Sequence, residues 1–120
     1  MKTPMRIRLE GILASRTRKE GDCLRYTGFT RGGYARFWAD GNSQQLTRYI
    51  VREFHGDFPK DWHVDHVAAR LCRFSDCINP YHLEAVPEHV NYRRKQAAAR
   101  AGRLLTSMAR ERGWLAADEK

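Results

Sequence analysis

The chain has 120 residues and a net charge of +8, with 42% hydrophobic and 30% charged residues. That length suits one small domain with a modest core, and excludes an α/β barrel or a two-domain dinucleotide enzyme. The composition is globular rather than disordered, and a polyanion is the first partner such a charge suggests, the plain alternative being charge that serves solubility alone. No apolar run reaches the length of a membrane span. The N-terminal stretch MKTPMRIRLEGILASR has no unbroken apolar segment, so no signal peptide is expected. Three cysteines do not make a disulfide framework and leave metal ligation open.

Residues 6–19 read as a short basic helix or arm, with Leu9, Ile12 and Leu13 as its apolar stripe. A short strand carrying Cys23, Leu24 and Tyr26 follows, and Arg31-Gly32-Gly33 reads as a turn. Tyr34 to Trp38 suits a strand whose aromatics are expected in the core, and Asp40-Gly41-Asn42 is a hairpin signal. Leu46, Tyr49, Ile50 and Phe54 recur at helical spacing and predict a helix from about Thr47 to His55, stopped by Gly56. Trp62 to His66 looks like a strand, and residues 67–80 like a loop that holds two cysteines. Pro87 suits the first turn of a helix reaching about Ala101, where Gly102 is a candidate interruption. Ala97, Ala101, Leu104, Leu105 and Met108 form a second stripe.

The informative stretch is His63-Val64-Asp65-His66, then Cys72-x4-Cys77-x4-His82, then Asn91. Two thiolates and an imidazole at these spacings can wrap one tetrahedral ion, and zinc accepts such ligands in structural sites. A fourth ligand is needed, and Cys23 is the only other cysteine. The alternative is that all three are buried free cysteines acting as small hydrophobes. His66 is of the type that deprotonates a water, while Asp65 and Asn91 offer hard oxygens of the kind magnesium prefers. Taken singly, Asp65 also reads as a turn residue, Asn91 as a surface amide and His66 as a half-exposed imidazole.

The string Val64-Asp65-His66, Leu71-Cys72-Arg73, Cys77-Ile78-Asn79-Pro80-Tyr81-His82-Leu83-Glu84, Asn91 and Arg93-Arg94 resembles the HNH, or ββα-metal, nucleases. Among them it is most similar to phage HNH homing endonucleases and the His-Cys box homing enzymes. Cys23 ahead of a Gly33-Tyr34-x-Arg36 strand, and an arginine-containing helix ending in Gly56, extend the likeness from about Asp22 to Arg94. The resemblance implies a metal-dependent DNA endonuclease with His66 as general base. Asn91 is then a magnesium ligand, Asp65 the metal-binding acid before the base, and Cys23, Cys72, Cys77 and His82 the structural zinc ligands. Asn79 fixes the loop, Arg36 contacts a phosphate and Arg48 opens the short helix. Family members usually place the first cysteine nearer the base, so Val67 to Arg70 reads as an insertion.

The expected organisation is a small α+β, zinc-stabilised ββα-metal nuclease domain at 21–101, flanked by a basic arm at 1–20 and a basic helical extension at 102–120. Arg93, Arg94, Lys95 and Arg100, with Arg36 and Arg48, are the expected contacts to double-stranded DNA. A homodimer would suit double-strand cutting. The resemblance also implies action in the cytoplasm of a phage-infected bacterial cell. The rival reading is a zinc-stabilised DNA-binding module that does not cut.

Overall fold

The computed structural model describes residues 1–112. The chain divides into two compact units, the first Met1–Val86 and the second starting at Pro87. Among the described residues the fold is mixed α+β, with three α-helices and seven short strands.

The first unit opens with α1 (Pro4–Ser15), whose N-cap Thr3 accepts from the Arg6 amide at 3.0 Å. Leu9 and Ile12 of α1 enter the core, and Leu13 packs against it. The next residues pair rather than dangle: β1 (Thr17–Glu20) runs antiparallel to β2 (Cys23–Tyr26). Residues 1–20 are therefore not a separate arm, because helix burial and strand pairing tie them into the first unit.

A three-stranded sheet follows, β3 (Thr30–Arg31), β4 (Tyr34–Ala39) and β5 (Asn42–Gln45), in that order. Asp40 and Gly41 both take positive φ, 51° and 79°, as the expected tight hairpin requires. The β4 aromatics divide by the two-residue period of a strand. Ala35, Phe37 and Ala39 are buried, whereas Tyr34 and Trp38 point outward at 48% and 66% exposure. Only Phe37 of the three is a core residue.

Helix α2 (Leu46–His55) buries Leu46, Ile50 and Val51 in the same core and ends at Gly56, where φ is 113°. Each such side chain contributes about 1.5–3 kcal/mol of apolar burial. The last hairpin of this unit is β6 (His63–His66) with β7 (Leu83–Val86), which pairs His63 with Val86 and His66 with Leu83. Leu83 is fully buried, so this hairpin is anchored to the core that α2 fills.

In the second unit α3 runs Glu88–Glu111. It passes through position 102 without interruption, so no boundary falls there. One glycine costs a helix only about 1 kcal/mol, and the flanking Ala, Arg and Leu are strong helix formers. From Tyr92 to Ala101 every residue is exposed, including Arg93, Arg94, Lys95 and Arg100. Leu104 is also exposed, at 62%. The Leu105 side chain and residues 113–120 of the expected extension lie outside the described residues. No described helix is long and apolar enough to cross a membrane.

Candidate functional site

Cys23 is far from the other cysteines in sequence, and strand pairing brings it to them. The Ile78 amide donates to the Leu24 carbonyl at 2.8 Å and the Tyr26 amide to Asp76 at 2.9 Å. This extends β2 with the segment around Cys77, as an antiparallel bridge between Arg25 and Cys77. The Arg25 guanidinium clamps both Asp76 carboxylate oxygens at 3.0–3.3 Å and lies over the Phe74 ring at 4.1 Å. Asn79 closes the loop from both ends: its Oδ1 accepts from the Tyr81 amide at 3.0 Å and its Nδ2 donates to the Asp22 carbonyl at 2.9 Å. The loop-fixing role given to Asn79 has this geometry behind it.

Residues 67–71 do not carry Cys72 away. Ala68–Arg70 form one 3-10 turn, which Leu71 leaves with φ at 68°. The Val67 amide donates to the His82 carbonyl at 2.8 Å, so the chain is turned back toward the hairpin. Positive φ on a leucine is sterically unfavourable. It is retained where the chain must reverse to bring Cys72 inward.

The result is a buried cluster of Cys23, Cys72, Cys77 and His82, whose candidate ligand atoms all lie within 4.8 Å of one another. His82 Nδ1 is 3.6 Å from Cys23 Sγ and 3.5 Å from Cys77 Sγ. A tetrahedral zinc with ordinary bond lengths separates sulfur and nitrogen ligands by about 3.6 Å. The residues present therefore fit the ion, and the four can hold a metal such as zinc. Electrostatics point the same way. The Cys72 thiol is pushed up by its hydrogen bond to Cys77 and by burial, while Cys77 is pulled down chiefly by that same bond. A divalent ion among these sulfurs would let every thiol bind as thiolate.

His66 is tied to the same loop. Its Nε2 lies 3.1 Å from the Cys77 carbonyl oxygen. A carbonyl only accepts, so Nε2 donates and the neutral ring offers the Nδ1 lone pair. Burial lowers the His66 pKa, which favours that neutral form, against an opposing pull from the Cys77 carbonyl. The Tyr34 ring stands 6.0 Å from the His66 ring. Neither contact of His66 was visible in the sequence. Both come from chain segments remote from β6, and only the Tyr34 aromatic was a signal at all.

The other expected site residues fall in different places. Adjacent strand residues point to opposite faces. Asp65 thus shares its face with His63 and with Glu84 directly across the hairpin, and not with His66. Asn91 is a buried polar residue in the first turns of α3, in the second unit. Arg36 lies on the outer face of β4, where Nε donates to Ser43 Oγ at 3.2 Å and Nη2 to the Ser43 carbonyl at 3.0 Å. Arg48 donates to the Trp62 and Lys60 carbonyls at 2.7 and 3.1 Å, so it fastens the 57–62 loop onto α2. Comparison with protein-family models, with curated proteins and with solved structures finds no match to this chain.

Proposed function

We propose that the protein is a zinc-stabilised, metal-dependent DNA endonuclease of the HNH, ββα-metal kind. The observation that carries this reading is the double use of Cys77. Its sulfur joins the Cys3His cluster, and its carbonyl fixes the tautomer of His66. A structural zinc would hold that carbonyl in place, and the carbonyl leaves Nδ1 of a neutral imidazole ready to take a proton from water. A binding module has no need of such an arrangement. The order hairpin, then helix, along β6, β7 and α3 supports the same reading.

In this proposal His66 activates water for in-line attack on the scissile phosphate. Asn91, the magnesium ligand that the resemblance implies, offers an oxygen of the kind that suits this ion; Asp65, on the β6 face away from His66, is not placed beside the base. When bound, the ion supplies charge neutralisation at the departing oxygen. Arg36 contacts a phosphate. The exposed Arg93, Arg94, Lys95 and Arg100 of α3 hold double-stranded DNA through its backbone, without reading sequence. The products implied are 5′-phosphate and 3′-hydroxyl ends. One such centre cuts one strand, so a double-strand break calls for a homodimer or two visits. A phage homing enzyme at work in a bacterial cytoplasm is the setting that the resemblance supplies.

The test is incubation of zinc-loaded protein with supercoiled plasmid, with and without magnesium. Magnesium-dependent nicked or linear product is expected. A wild-type protein inert across several divalent ions and several DNAs would overturn the reading in favour of a non-cutting module.

A further inference from the structure

Away from the metal cluster, α1 and residues 36–38 of β4 border an open cleft of about 470 Å³. Arg8, Arg16 and Arg36 line it, with Phe29 and Trp38, and among the described residues no carboxylate does. Phe29 and Trp38 are each 66% exposed, while Phe37 on the inner face of the same strand is 7% exposed. The wall is braced: Arg8 Nη2 donates to the Trp38 carbonyl at 2.6 Å, and its guanidinium sits 4.7 Å from the Phe37 ring centre. Ser43 steadies Arg36 beside it.

This chemistry selects a ligand that is both anionic and flat. A duplex presents its phosphates but keeps its bases stacked inward, so it would satisfy the arginines and leave both rings in water. An acidic peptide would do the same. An unpaired strand uses both, because guanidiniums hold its phosphates while any base can stack on an aromatic face. The cleft volume lies within the range of sites for one small ligand. We propose that this cleft is a subsite for one unstacked nucleotide of a single nucleic-acid strand. The strand continues along β4 toward His66. Tyr34 lies four residues from Trp38, about 13 Å along the strand, and its ring is the one 6.0 Å from His66. The direction of that path rests on the nuclease reading; the binding itself does not.

The test is fluorescence anisotropy of the zinc-loaded full chain with a labelled oligothymidylate of about eight nucleotides, without magnesium so that nothing is cut. Trp38→Ala is expected to weaken binding about ten-fold or more, and Trp38→Phe to restore most of it. Phe29→Ala, at the other exposed ring, should weaken binding in the same sense and covers a failure of Trp38→Ala to fold. An abasic oligomer should lose a similar factor and become indifferent to Trp38→Ala. The subsite is overturned if the oligomer does not bind, or if Trp38→Ala and Phe29→Ala bind like wild type. It is also overturned if the abasic strand binds equally well, or if duplex DNA or polyglutamate shows the same Trp38 dependence. Cleavage is read separately. Base-dependent binding with no cutting overturns the nuclease reading alone, and cutting that ignores both rings overturns the subsite alone.

Discussion

Leu46 and Ile50 on α2 sit among Leu9, Phe37, Ile78 and Leu83, a core drawn from helices and strands spread along the first unit. Cys72 and Cys77 have a much poorer setting: their buried cluster adds only Cys23, with Phe74 packed against it. The first region is held by apolar area, which falls off gradually as atoms are removed. The second adds little apolar area of its own, and the hydrogen bond between its paired sulfurs pushes Cys72 up and Cys77 down. The first region should tolerate trimming, whereas the second is expected to depend on an ion that its four candidate ligands could hold. The residue that does the proposed chemistry, His66, leans on the second.

Removing the ion or one ligand tests this contrast most severely. Cys77→Ser, or zinc withdrawal by a chelator, should abolish metal binding, whose free energy in small structural sites is about 10–16 kcal/mol. Hydrogen exchange should then open residues 72–82 far more than the amides of α2. Equal opening of both regions would erase the distinction. Ile50→Ala, in the apolar core, should cost about 2–5 kcal/mol in denaturant melts. Metal analysis should still return about one zinc per chain. Asn79→Ala removes a cap and the tie to Asp22, and should cost about 1 kcal/mol. Some loosening of the metal is expected with it.

The pH effect should be milder still. The His66 pKa is lowered by burial, so the folded protein binds this proton less readily than the unfolded chain. Stability is unaffected by this group well above the unfolded value of about 6.5 and falls as pH drops through it toward the folded value. Cleavage should hold its rate down to about pH 6.5, since the neutral ring persists there. A rate that already falls between pH 8 and 7 would contradict a lowered pKa.

The sequence showed some of this clearly. Asp40-Gly41 needs positive φ and so announced its hairpin, and Leu46 with Ile50 carried the period of α2. The Cys72, Cys77 and His82 spacing announced a cluster, to which Cys23 could be added because no other cysteine remained. Other features had no local signal. Thr17-Arg18-Lys19-Glu20 has no alternation, and becomes β1 only because β2 lies beside it. Leu83-Glu84-Ala85-Val86 pairs with β6 from across an intervening loop. Which aromatics of β4 faced inward depended on what lay beneath the sheet. The role of Arg48 depended on the carbonyls of a loop that no pattern places against α2.

The measurement closest to the central claim compares zinc-loaded wild type with zinc-loaded His66→Ala on supercoiled plasmid in magnesium. The variant is expected to keep the same zinc content and the same melting temperature to within a few degrees, and to cut at least about 100-fold more slowly. A His66→Ala protein that cuts at the wild-type rate would contradict that claim, and so would one that loses its activity only because it has lost its zinc.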